Sequence, residues 1–234
     1  MDMGNDGTST QTRVLSFGGS LLFSGQSLDL QFLRDMQTLL RDKVASGNRF
    51  VIVVGGGMIS RQYQRALSEL GATDTDLDWI GIHACRFNAQ LVRLLLQDIA
   101  HPDLLLQPDD LAQVTAPIAF AGGVAPGSSS DYVSVELALK AGSRSVVNMT
   151  NTAHVCDKDP AANPDAQAFD DLTWDQFKAL IPAEWTPGLH APFDPRAAEE
   201  AQRSGVEVTI VGKDVHNLQN FLEGKPYVGT RLHA

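Results

Sequence analysis

Two rhythms of hydrophobic and polar positions take turns along this chain. "RVLSFGGSLL" begins as a short β-type run, stops at a glycine pair and passes into apolar residues. In "LDLQFLRDMQTLLRDKVASG", Leu30, Leu33, Met36, Leu40 and Val44 recur at helical spacing, and Gly47 marks the stop. "FVIVVGGG" is a continuous apolar run of the kind that lies in a sheet covered on both faces. The next segment sets Ile59, Tyr63, Ala66, Leu67 and Leu70 on one side of a helix that ends at Gly71.

The alternation continues to the last residues. A helix from Asn88 to Ile99 leads to "LLL" at 104–106, "PIAFAGG" reads as a strand, "SDYVSVELALKAG" as a helix and "SVVNM" as a buried strand. In "LTWDQFKALI", Thr173 caps a helix and Gln176 completes a capping box. "DPRAAEEAQRSG" predicts a helix, "VEVTIVG" a strand, "VHNLQNFLEG" a helix and "GTRL" a final strand. Strand and helix in turn predict an α/β fold, a mainly parallel sheet sandwiched by helices.

Length and composition narrow the picture. With 234 residues, 43% hydrophobic and 20% charged, one domain of the larger kind is expected, behind a disordered polar leader at 1–12. The leader has neither a basic start nor an apolar core, and no apolar run approaches the roughly 20 residues that cross a bilayer. A soluble, cytoplasmic protein without a membrane partner is expected. A formal net charge of -10, with no basic stripe interleaved by aromatics, argues against nucleic acid as a partner. Cys85 and Cys156 are far apart and read as reduced thiols, and six scattered histidines indicate no transition-metal site.

Ligands in such folds gather where strand ends meet helix N-termini. Glycines cluster at those places: Gly18-Gly19-Ser20, Gly55-Gly56-Gly57, and Gly122-Gly123 with Pro126-Gly127. Glycine lets main-chain N–H groups approach a phosphate closely, so three such loops on one edge suggest polyphosphate binding, although each alone also reads as a tight turn. There is no G-x-x-x-x-G-K-[ST] and no G-x-G-x-x-G before a helix, which removes the common phosphate-loop and dinucleotide readings.

Seven ordered blocks carry a family resemblance: "SFGGSLL", "VVGGGMISRQY", "DWIGIHACRFNA", "AGGVAPGSSSD", "TNTAHVCDKDPAANPDA", "FDPRAAEEAQRSGVEVTIVGKD" and "LEGKPYVGT". Together they resemble the amino-acid kinase superfamily, nearest to uridylate kinases of the archaeal type, over residues 13–234. The resemblance implies a three-layer αβα sandwich with an acceptor-binding N-terminal part and an ATP-binding C-terminal part. It also implies transfer of the ATP γ-phosphoryl group to UMP with Mg²⁺, in a homo-oligomer, usually a hexamer. Gly18, Gly19 and Ser20 match the glycine loop between donor and acceptor phosphates. Gly56 matches a UMP contact, Gly57 and Arg61 match positions near the ATP phosphates, and Asp78 matches the acceptor-site aspartate. Val124, Ala125, Pro126, Gly127, Ser128, Ser129 and Ser130 match the acceptor loop, closed by Asp131, which would orient a cation rather than remove a proton. Thr150, Asn151, Cys156, Lys158 and Asp159 match the donor-nucleotide loop.

The chain departs from the family pattern in places. Ala153-His154 replaces an aspartate-glycine pair, Cys156 replaces an aromatic, Met58 stands where archaeal relatives often carry lysine, and Phe17 precedes Gly18 where other branches begin with a lysine two residues or so earlier. The lost glycine predicts a side chain at a sharp backbone turn, and the missing cation directs attention to Lys158 and Lys213. These changes open an alternative, a non-catalytic or altered-specificity protein that binds a nucleotide or small anion, within a hetero-oligomer containing an active relative.

Overall fold

The computed structural model describes residues 12–184 and 191–234. Of the leader, residues 1–11 lie outside that range, and Thr12 already belongs to the first strand. In chain order the elements are β1 (Thr12–Phe17), β2 (Phe23–Ser24), β3 (Ser27–Leu28), α1 (Leu30–Ala45), β4 (Arg49–Val54), α2 (Gly57–Glu69), α3 (Asp74–Leu95), β5 (Ala100–Leu105) and β6 (Ile118–Ala121). Then come α4 (Ser130–Lys140), β7 (Ser145–Met149), β8 (Val155–Cys156), β9 (Ala168–Phe169), β10 (Asp171–Thr173), α5 (Trp174–Lys178), α6 (Pro195–Ser204), β11 (Glu207–Val211), α7 (Val215–Leu222) and β12 (Gly229–His233).

Eight strands form one sheet in the order β10-β12-β11-β7-β1-β4-β6-β5. All pairs are parallel except β11 with β12. That exception has a local cause. Asn217 holds Val228 by two hydrogen bonds of 2.7 Å, so the chain after α7 doubles back beside the helix and enters β12 at the carboxyl end of β11.

Successive strand residues serve opposite layers, as the two-residue period of a strand requires. Val14, Val51 and Val53 pack with Val133, Leu137, Trp174, Phe177 and Phe193 on one face. Leu15, Phe17, Ile52 and Val54 pack with Phe32, Met36, Leu40, Val92 and Leu218 on the other. The result is the three-layer arrangement expected, with β1 central and its carboxyl end between those of β4 and β7.

Several elements differ from the sequence pattern. The helix placed at Asn88–Ile99 starts at Asp74, where Thr73 and Asp76 form a reciprocal capping box, and ends at Leu95. Short polar residues at a helix start hide the first turns from a search for apolar periodicity. Thr173 and Gln176 form the capping box as expected, over a shorter helix. The apolar stripe of α2 does not enter the core: Tyr63 is 55% and Leu70 82% exposed, and only Ser60 is buried.

Candidate active site

The site forms where β1, β4 and β6 end. The Gly18–Ser20 and Gly55–Gly57 loops lie backbone against backbone: a Cβ on Gly19 would stand 2.1 Å from the Gly55 carbonyl oxygen and 2.5 Å from the Gly57 nitrogen. Gly57 adopts φ +60, a conformation that side chains disfavour. Gly55 N–H donates to Phe17 O (2.8 Å) and Gly18 N–H to Met149 O (3.0 Å), tying the loop to both neighbouring strands. Asn88, buried on α3, donates to Gly55 O (2.9 Å) and Gly56 O (3.1 Å).

The Gly122-Gly123 pair also serves packing, and Gly123 lines a cleft with Gly56 and Gly57. A Cβ on Gly122 would meet the Arg86 nitrogen at 2.7 Å, and one on Gly123 would meet Ile82, so these glycines let β6 press against α3. Arg86 then donates from Nε to Gly123 O (3.0 Å) and from Nη2 to Val124 O (3.2 Å), securing the start of the 124–130 loop. Further along, Gly127 N–H donates to Asp78 Oδ2 (2.7 Å). Ser129 caps α4 by accepting from Tyr132 N–H (3.0 Å), and its own hydroxyl donates to Asp194.

Gly56, Gly57, Arg61, Asp78, Ser128, Ser129, Ser130 and Asp131 all line one cleft of about 190 Å³, together with Asp194 and Cys85. Val124, Ala125, Pro126 and Gly127 form the preceding part of the loop. Asp131 accepts from Ser16 Oγ (3.4 Å) and from Asp194 N–H (3.1 Å). Burial, with the Asp194 charge added, pushes its carboxyl up to about 8, and burial raises Asp194 as well. The Cys85 thiol is pushed up to about 12, chiefly by burial, so it faces the cleft as a neutral group.

A pH dependence follows. The folded-state value for Asp131 lies above the ordinary 3.8, so the folded chain binds a proton that the unfolded chain releases. This stabilising contribution is complete below about pH 4 and is lost as the pH rises through about 8. Without ligand, the protein is expected to melt at a lower temperature at about pH 9 than at about pH 6, and Asp131→Asn to make that slope shallower. Equal slopes for both proteins in differential scanning calorimetry would contradict the assignment.

The residues matched to the donor loop by resemblance, 150–159, are absent from the lining of that cleft. Thr150 Oγ1 donates to Thr152 O (2.8 Å), and Asn151 is exposed. Cys156 pairs with Ala168 across the β8–β9 hairpin. Lys158 bonds Asp165 (2.7 Å), and Asp159 accepts from Ala161 N–H (2.9 Å) within its own turn. Among the described residues no non-glycine has positive φ, so His154 occupies ordinary backbone and the strained turn expected there does not occur. Its Nε2 lies 3.2 Å from Asp170. Gly212 supplies room instead, since a Cβ there would meet the Ala153 Cα at 3.2 Å. Lys213 bonds Asp29 (2.8 Å) and Phe23 O (3.0 Å) over the Phe32 ring. Among the described residues Arg61 is therefore the one cationic side chain lining the cleft.

The model of the Amino acid kinase family matches residues 11–212. The chain belongs to this family. A uridylate kinase of Thermoplasma volcanium is 32% identical over 222 residues, 94% of this chain and 96% of the relative. One of Natronomonas pharaonis is 31% identical over 94% of this chain and 97% of its own length. Among solved structures, uridylate kinase from Archaeoglobus fulgidus superposes with a TM-score of 0.79 at 28% identity, covering 95% of this chain and 99% of that one. UMP kinase from Bacillus anthracis, at 18% identity and TM-score 0.76 over 95% and 96% of the chains, shares the fold.

In this amino acid kinase the sequence reading passed over Ser16, Arg86, Asn88, Asp194 and Arg196. Aspartate before proline at a helix start is a capping signal, and it could have drawn attention to Asp194. For the others no local signal exists, because each acts on a segment distant in the chain.

Proposed function

We propose that this chain transfers the γ-phosphoryl group of ATP to UMP, giving UDP and ADP. The convergence of Gly56, Gly57, Arg61, Asp78, Ser128–Ser130 and Asp131 on one cleft, with the Gly18–Ser20 loop packed directly behind Gly55 and Gly57, carries this reading. Uridylate kinase relatives matching almost end to end support it. The acceptor phosphate is already an anion, so the reaction needs alignment and charge neutralisation more than a base. The N–H groups of Gly19, Ser20, Gly56 and Gly57 and the Arg61 guanidinium serve those purposes, while Gly18, its own N–H held by Met149 O, lets the loop turn toward them. Asp78 and the 124–130 loop receive UMP, while Thr150, Asn151, Cys156, Lys158 and Asp159 lie on the ATP side. The N-terminal part of the 13–234 domain thus holds the acceptor and the C-terminal part the donor.

Among the described residues no group of three metal-ligating side chains occurs, so a protein-only metal cage is not part of this reading. Asp131, which lines the cleft, would hold Mg²⁺ as one carboxylate completed by substrate phosphates, on release of the proton that burial favours. The oxygens of Asp194, by contrast, are engaged by Ser129 Oγ and by the N–H groups of Arg196 and Ala197. When bound, Mg²⁺ neutralises charge on the phosphates being transferred. Among the described residues no helix is long and apolar enough to cross a membrane, and the proposed setting is the cytoplasm. Exposed Tyr63, Leu70, Trp79 and Phe87 on α2 and α3 support assembly into a homo-oligomer, with a hexamer proposed.

A second reading, a protein that binds nucleotide without transferring phosphate, is favoured by Lys158 and Lys213 being engaged away from the cleft. A coupled assay with UMP, CMP, AMP and GMP, beside calorimetric titrations of each and of ATP, separates the two. UMP is expected to bind most tightly and to be phosphorylated. Equal heats for all four would remove the UMP assignment, and UMP binding without turnover would favour the second reading.

A further inference from the structure

We propose that Arg196 is a positioning residue of the acceptor site, acting through Gly127 and in concert with Asp78; the proposal rests on the UMP reading above. Gly127 sits in the left-handed region at φ +78. Two charged side chains hold its two backbone polar groups. Asp78, on α3, accepts from its N–H at 2.7 Å, and Arg196, on α6, donates from Nη1 to its carbonyl oxygen. The N–H and C=O of one residue belong to successive peptide planes. Holding both therefore fixes φ and ψ of Gly127, and these two angles decide where Ser128, Ser129 and Ser130 project. Glycine has the widest backbone freedom, so this is the residue at which a loop most needs outside restraint.

The Arg196 guanidinium is itself placed. Its carbon lies 5.7 Å from the centre of the Tyr132 ring, a cation–π distance, and its backbone N–H donates to Asp194 Oδ1 at 2.8 Å. The other Asp194 oxygen accepts from Ser129 Oγ. The first turn of α6 thus holds the loop twice, through Arg196 at Gly127 and through Asp194 at Ser129. Arg196 is not among the residues lining the cleft, whereas Ser128, Ser129 and Ser130 are, so it affects the acceptor only by way of the loop.

Arg196→Ala is expected to weaken UMP binding about tenfold, the scale of one charge-assisted hydrogen bond, with ATP affinity unchanged. Arg196→Lys keeps a charged donor and should recover most of that loss. Arg203→Ala, an exposed change on the same helix, should leave UMP affinity unaltered. Hydrogen exchange of the Gly127–Ser130 amides in ligand-free protein supplies a readout independent of UMP, and faster exchange is expected in Arg196→Ala than in the unaltered protein. Unchanged exchange would overturn the proposal. So would equal loss of UMP and ATP affinity accompanied by a lower melting temperature, which marks a general structural role. Should the unaltered protein bind no UMP, the acceptor assignment fails, while the exchange result still decides whether Arg196 orders the loop.

Discussion

Arg61→Ala is expected to lower turnover about a hundredfold or more, the cost of removing one preorganised donor from a phosphoryl-transfer site. The magnitude follows from the absence of a substitute. Phe17 and Met58 leave no lysine beside the glycine loops, Lys158 pairs with Asp165, and Lys213 pairs with Asp29. Among the described residues no other cationic side chain lines the cleft. Arg61 stands in the first turns of α2, one turn beyond Gly57, where the positive helix end also attracts phosphate. Since the residue is exposed, its removal should change stability by no more than about half a kcal/mol. Arg61→Lys should restore part of the rate, because an ammonium retains the charge without the planar two-donor fork. Steady-state kinetics beside calorimetric melting test this. Normal turnover with a lowered melting temperature would reassign Arg61 to a structural role.

Gly19→Ala is expected to destabilise the fold by about 3 kcal/mol and to abolish turnover, the upper part of the range for overpacking a closed site. The new methyl group would lie 2.1 Å from Gly55 O, 2.5 Å from Gly57 N and 2.6 Å from the Gly55 carbonyl carbon. All three are main-chain atoms, and none can rotate away. Gly55 is held by Phe17 O and Asn88, so separating the loops also breaks bonds at the ends of β1 and β4. Gly142→Ala provides the comparison. Gly142 has φ +68 but open space around its Cα, so only the conformational penalty of about 1 kcal/mol applies. Urea denaturation of the two variants should therefore differ in midpoint, with Gly142→Ala active. Comparable midpoints would show that the glycine loops separate at little cost.

Some residues have uses that a short stretch of sequence does not separate. Tight approach and anion binding both demand glycine, and in Gly122-Gly123 the two meet, since the pair presses against Arg86 and Ile82 while Gly123 lines the cleft. His154 suggested strain because a family glycine is replaced, yet its backbone is ordinary and Ala153 packs close against Gly212. The stripe on α2 was read correctly as apolar, but its period carries no information on whether the core or another surface covers it.

Residue order was sufficient for the succession of strands and helices, since continuous apolar runs, helical spacing and caps are local properties spanning a few residues. It also set the glycines of Gly18–Ser20 and Gly55–Gly57 at strand ends before helices, whereas the 124–131 segment was nominated through the family resemblance. The pairing of Asp131 with Asp194 across 63 residues, and of Arg196 with Gly127 across 69, required the folded chain. Strand order is permuted relative to sequence, so β1 lies between β4 and β7, and α4 and α6 come to pack together. Contacts made across such crossovers depend on the summed packing of both layers, which no short window of residues contains.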